Sequence, residues 1–253
     1  MKRLATTLAA ITLATLMVGS ANAITFTGSE TDFPPTALLQ DDGIDTESFC
    51  SGLPLDIGKV YVANDATTLY IGFQYARACF CEMNLGVAFN VRPGGTTVDP
   101  FCRAVDWSLA SDAPDYYLYD VIPTGCNTYN YEVLYGANGS NGWNTILDGS
   151  NGLGIVDTDG GNFVEMAIPL SSLGMTGCNG TVGLELWTMQ EGCTKPAFDM
   201  VANDNEQRST PSGTCFDIGP CNPSQPTQYL NYTLSCPVPT VQATWSNLKA
   251  LYR

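Results

Sequence analysis

Short stretches of alternating apolar and polar residues, separated by clusters of Gly, Asn, Asp and Pro, run through the middle of this chain. A period of two marks a strand with one face on a core and the other toward water. In Thr68–Ala76, Leu69, Ile71, Phe73 and Tyr75 share one face, and Tyr70, Gly72 and Gln74 share the other. Leu85–Val91 alternates again, with Leu85, Val87, Phe89 and Val91 inward, and Arg92-Pro93-Gly94-Gly95 ends it. Lys59–Ala63, Asp115–Ile122, Tyr129–Tyr135, Phe163–Ile168, Val182–Gln190 and Gln228–Leu234 are further strands, with Val182, Leu184 and Leu186 on one side of theirs. Turn chemistry divides them at Asn64-Asp65-Ala66-Thr67, ANGSNG (137–142), DGSNG (148–152) and DTDGG (157–161). PLSSLG (169–174) predicts one helical turn after a strand. Many short strands with almost no helical periodicity predict an all-β fold, an antiparallel β-sandwich of jelly-roll type.

The pattern changes at both ends. Lys2 and Arg3 precede an apolar run, Leu4–Val18, too short for a comfortable membrane span, and Ala21-Asn22-Ala23 follows as a cleavage pattern. Residues 1–23 therefore read as a secretory signal of bacterial appearance, with the mature chain starting near Ile24; a retained signal anchor is the alternative. No later apolar run is long enough for a membrane span, so the product is expected to be secreted or held at the cell surface. Residues 24–58 form a polar lead-in, and the sandwich is expected over 24–236. Residues 203–226 are turn-rich and carry two cysteines, as in a long stapled loop. A linker at 237–242 leads to a short amphipathic tail, 243–253, in which Trp245, Leu248, Leu251 and Tyr252 form one helical stripe. Ten residues do not hold a helix alone. The tail either packs on its own domain or serves as a tag for an export or surface partner.

Charge and composition narrow the function. The formal charge is −15, or about −17 once Lys2 and Arg3 leave, which argues against nucleic acid and anionic membranes. The same acidity suits calcium, or simply keeps an exported protein soluble. The chain has no histidine, which removes Ser-His-Asp and Cys-His catalysis, His-ligated zinc and imidazole-ligated haem. No nucleotide-binding glycine motif is present either, so neither haem nor nucleotide is expected, and the chain reads as non-catalytic. Ten cysteines in an exported chain predict disulfides: Cys50, Cys79, Cys81, Cys102, Cys126, Cys178, Cys193, Cys215, Cys221 and Cys236. Their connectivity does not follow from spacing. One pairing is disfavoured, because Cys178 and Cys193 flank a strand that holds them apart. Cys79 and Cys81, two apart, would seek different partners, whereas Cys215 and Cys221 could close a small loop.

The phrases VYVANDATTLYIGFQ, LGVAFNV, PDYYLYDV, YEVLYGANGSNGW, VEMAIPLSSLG and the late Asp199 with Asn231-Tyr232-Thr233-Leu234 occur in an order that resembles DOMON-like, family-9-type carbohydrate-binding modules over roughly 38–236. The resemblance implies a jelly-roll-like sandwich, often with structural calcium, that binds sugars or, in other branches, haem. The cysteine content departs from that pattern, and the missing histidine speaks against a His/Met haem site.

Sugar recognition needs an aromatic face for pyranose C–H groups and amides or carboxylates for hydroxyls. Trp143, in a Gly/Asn-rich loop beside Asn141 and Asn144, fits; Trp107 and Tyr116 are second choices. Each ring could equally cap the core. For calcium the best set is Asp41, Asp42 and Asp45; Asp157 with Asp159, and Asp199 with Asn203 and Asp204, are alternatives. Glu165, alone in its strand, is read as an outward residue or as a group supporting a ligand rather than as a catalyst. The competing function is a structural or adhesive surface protein that assembles through a sheet edge or the tail. Whether the sequons at Asn138, Asn179 and Asn231 are used depends on the host cell.

Overall fold

The alternating segments pair into antiparallel sheets whose inward rows meet. A computed structural model describes residues 23–43, 48–49, 53–54, 56–75, 82–123, 131–139, 142–150, 153–157, 162–190, 197, 199–202 and 224–236. In chain order the strands are β1 (Leu38–Asp41), β2 (Ser48–Phe49), β3 (Leu53–Pro54), β4 (Ile57–Asn64), β5 (Thr68–Tyr75), β6 (Glu82–Asn90) and β7 (Tyr116–Pro123). They continue as β8 (Tyr131–Ala137), β9 (Trp143–Asp148), β10 (Gly154–Asp157), β11 (Phe163–Pro169), β12 (Thr181–Gln190), β13 (Asp199–Val201) and β14 (Leu230–Thr233). One sheet has five strands in the order β1-β4-β5-β11-β10. The other has seven, β13-β12-β6-β7-β8-β9, with β14 pairing on β12 beside β13; β2 and β3 pair separately. PLSSLG makes its expected turn, a short 3-10 helix at Leu170–Leu173 closed by Gly174 at φ +67°. Among the described residues no helix is long and apolar enough to cross a membrane. The cleavage pattern before Ala23 and the tail 243–253 lie outside the described residues.

The inner core is the expected one. Leu69, Ile71, Phe73 and Tyr75 face Leu85, Val87 and Phe89, and Val182, Leu184 and Leu186 extend the same row. Burying each such side chain contributes about 1.5–3 kcal/mol. The alternation implied water on the opposite faces, and here the structure differs. Tyr70 and Tyr61 are buried beneath the N-terminal segment, which lays Phe26 and Phe33 across the five-stranded sheet. Phe33 packs on Tyr61 and Phe163 with ring centroids 5.7 and 6.0 Å apart. Gly72 makes room for it: a Cβ there would lie 2.4 Å from the Phe33 ring. The residues read as a polar lead-in are therefore a covering layer, fastened by Gly28 N–H to Glu165, Thr27 to Asp32 (2.7 Å) and Lys59 to Glu30 (2.9 Å).

The seven-stranded sheet is covered as well. Trp107, Tyr117, Tyr119, Trp187, Met189 and Met200 form a second, aromatic cluster on its outer side. Gly86 is again the concession, because a Cβ would lie 2.1 Å from the Trp187 indole. Alternation survives as direction but not as polarity, since tyrosine and tryptophan carry enough polar character to pass for an outer face.

Two corners join the sheets. At the end of β4, the Asn64 amide donates to the Ser235 carbonyl (3.0 Å), and its oxygen accepts from Ser235 N–H and the Tyr232 hydroxyl. Near the start of β4 the register slips between Ile57 and Val60, so both side chains reach the core. The Ile57 amide donates to Asp199 Oδ2 at 2.6 Å. Cys178 is bonded to Cys236, which excludes Cys193 as its partner, as the intervening strand required. Cys102 is also in a disulfide. Cys50, Cys79, Cys81, Cys126, Cys193, Cys215 and Cys221 lie outside the described residues.

Candidate functional site

The strongest concentration of recognition chemistry lies on the outer face of β7–β9. Strand pairing places Tyr117 opposite Tyr135, and Tyr135 opposite Thr145, while Trp143 opens β9 on the same face. Phe101, from the loop before β7, stands edge-on to Tyr119 (4.9 Å) and Tyr135 (5.3 Å). Trp143 meets Tyr117 edge-on at 5.5 Å, and its indole N–H donates to the Val98 carbonyl. Phe101, Tyr135 and Trp143 are half-buried, whereas Tyr117, Tyr119, Trp107 and Trp187 behind them are buried. Three rings thus reach the surface from a rigid aromatic base, with exposed Thr145 and Val98 beside them.

The base is polar as well as aromatic. Arg103, 7% exposed, lies with its guanidinium 4.6 Å from the Tyr119 ring centroid and 5.5 Å from that of Phe101. Asp99 accepts from the Tyr119 hydroxyl (2.7 Å) and from the amides of Phe101 and Arg103, which fixes the loop that delivers Phe101. Burial pushes the Tyr117 and Tyr119 phenols well above their ordinary range, so both stay neutral. The indole N–H groups of Trp107 and Trp187 are buried without hydrogen-bond partners among the described residues.

The chain matches no family model and no curated protein. The predicted residues must therefore be weighed by where they stand. Trp143 is not in a loop; it is the first residue of an edge strand, because the Gly/Asn cluster ends at Gly142. Asn144 is exposed, but strand alternation turns it away from the Trp143 face. Asn141 lies outside the described residues. Trp107 is 1% exposed and stacks on Tyr229 at 5.6 Å, so it supports the base and offers no open ring. Tyr116 is 5% exposed in the inner core, with the Arg92 guanidinium 5.4 Å from its ring centroid, and is likewise closed to a ligand. Phe101 and Tyr135 were missed, since neither stands in a turn-rich motif; their signal was only membership of aromatic strand and loop segments.

The predicted calcium residues separate. Asp41 is exposed on β1, opposite Lys59. Asp42 is half-buried, its N–H bonded to the Gly58 carbonyl, and Asp45 lies outside the described residues. Asp199, from an alternative set, is buried beside Asp56, with Asp42 close enough to act on its charge. Asn203, Asp204 and Asp159 lie outside the described residues. Burial, then the charges of Asp56 and Asp42, pushes the Asp199 carboxyl well above the carboxylate range, against the opposing Ile57 amide. Among the described residues no group of three carboxylates or thiols is arranged to hold a metal ion.

Glu165 is not the outward residue expected. It is buried under the N-terminal segment, accepts from the Gly28 amide, and lies beside Asp32. Its burial raises its pKa to about 7, with the Gly28 amide opposing and the Asp32 charge adding to the rise. One carboxyl pair under a covering segment is suited to sharing a proton, not to acid–base work on a substrate.

Proposed function

We propose that this chain is a secreted, non-catalytic binding module that recognises extracellular carbohydrate through Phe101, Tyr135 and Trp143. The observation that carries this reading is three half-buried rings set on a rigid aromatic base at one face of a β-sandwich. Pyranose C–H groups stack on such rings, and Thr145 lies on the same face to meet a hydroxyl. The binding is reversible and needs no cofactor chemistry. The net charge of −15 favours neutral glycans over acidic ones. The ordered sequence phrases are what supports a DOMON-like jelly roll as the finer fold. Calcium, which the acidity of the chain suits, is proposed as a structural ion with no site assigned to it.

The test is retention of the mature chain, 24–253, on a panel of insoluble polysaccharides and glycans, with calcium and with EDTA. Trp143→Ala and Tyr135→Ala should each weaken retention about tenfold or more while the melting temperature shows a folded protein. No retention of the folded wild type on any sugar would overturn the reading. Loss of retention in EDTA supports a structural calcium ion, and an unchanged melting temperature in EDTA would remove it.

A second reading rests on β9. It is the last strand of its sheet, and Asn144, Thr145 and Ile146 are exposed along it. Such an edge can pair with another chain, which would make the protein an assembly or adhesion unit, with residues 243–253 as a further contact. A change of oligomeric state on deleting 243–253, with no glycan effect, would favour it.

A further inference from the structure

Ala23 is exposed, whereas the next residue, Ile24, is half-buried against the cluster of Phe33, Tyr61 and Tyr70. The Ile24 backbone amide lies near enough to the Tyr70 hydroxyl to act on it as a hydrogen-bond donor. That hydroxyl donates in turn to Asp65 Oδ2 at 2.7 Å. Asp65 also accepts from the amides of Thr67 (2.7 Å) and Thr68 (2.8 Å) in the β4–β5 turn.

We propose that cleavage between Ala23 and Ile24 creates a docked N-terminus, whose α-ammonium is held by Tyr70 and, through it, by Asp65. A signal peptidase, not this chain, supplies the catalysis. Water adds its hydroxyl to the Ala23 carbonyl and its proton to the Ile24 nitrogen as the amide bond breaks. At neutral pH the amine takes a further proton from solvent. A single amide donor becomes three ammonium donors carrying a full positive charge, placed one hydroxyl away from a carboxylate. Burial works against the Asp65 charge, but the Thr67 amide, the Tyr70 hydroxyl and the Thr68 amide outweigh it and hold the carboxyl below its ordinary value. The anion is therefore in place before the cation is made. Asp32, Glu165 and the Glu30–Lys59 pair are the other charged groups brought to this sheet face, and they engage Thr27, Gly28 and one another instead. Removing the exported segment thus completes the cover of the five-stranded sheet as well as releasing the protein.

The test compares mature protein with a free Ile24 amine against the same protein acetylated at Ile24. Acetylation restores the amide and its single donor, so it removes only the charge and the added protons. The acetylated form should melt about 2–4 °C lower. In Asp65→Asn, and independently in Tyr70→Phe, acetylation should change nothing. Equal melting temperatures for the free and blocked wild type would overturn the proposal. So would an acetylation loss that persists in both variants, or an exported protein whose intact mass does not start at Ile24. None of these outcomes depends on glycan binding.

Discussion

Glu165 shows how a single buried group can make stability depend on pH. Its folded pKa is about 7, against an ordinary value of 4.5, because burial and the neighbouring Asp32 disfavour its charge. Between those values the folded state binds more protons than the unfolded state, so stability falls as pH rises through the window and stays lowered above it. Below about pH 4.5 the group contributes nothing to the difference. Glu165→Gln keeps the shape, still accepts from Gly28, and adds an N–H that can donate to Asp32. The variant should match wild type near pH 4 and be more stable near pH 8, by a few kcal/mol at most, in urea denaturation at both pH values. Equal stability at pH 8 would show that Glu165 ionises in place at no cost. Nothing in the sequence reveals this residue. A glutamate in an alternating strand reads as solvent-facing, and only the segment folded over it, more than a hundred positions earlier, buries it.

At the scale of elements, alternation identified β4 to β8, β11, β12 and β14 to within a few residues, and the row of inward side chains in β5, β6 and β12 was legible in full. Apart from the separate β2–β3 pair, the missed strands share a physical reason. β1, β9, β10 and β13 are short strands at sheet edges, where one neighbour suffices and the apolar pattern is broken by polar residues. The covering layer was missed because Phe26, Phe33 and Ala37 follow no period; the chain crosses the strands irregularly and anchors where rings fit. Phe33→Ala should cost about 3–5 kcal/mol, since it empties the space that Gly72 leaves. The midpoint of a thermal melt should fall by roughly 6–20 °C. A fall within error would mean that the layer contributes little and can lift. Of the candidate site, the sequence supplied Trp143 but not its partners, which strand register assembles.

For the whole molecule, the sheets are held by a shared core and by fastenings at the corners. Asn64 secures the segment around Ser235, and the Cys178–Cys236 bond, between residues 58 apart, encloses β12, β13 and β14. Replacing both cysteines by alanine should lower stability by about 2–4 kcal/mol, read as a lower denaturant midpoint with a somewhat steeper slope, because the released unfolded chain exposes more surface. An unchanged midpoint would assign that corner to Asn64 and Tyr232. Disulfide use was legible from export and cysteine count, but the Cys178–Cys236 pairing was not, because it depends on β14 returning to lie on β12.

The smaller sheet on one side and the aromatic cluster on the other leave the middle of the larger sheet with no contact with water: residues 84–89 of β6 and 182–189 of β12 are all buried. In heavy water, the amides of these strands can trade their hydrogens for deuterium only when the entire molecule opens. They should label together and last, at a rate that reports global stability, while β9 labels early from its free edge. A mass-spectrometric labelling curve would then contain its own internal thermometer, readable without any ligand in hand.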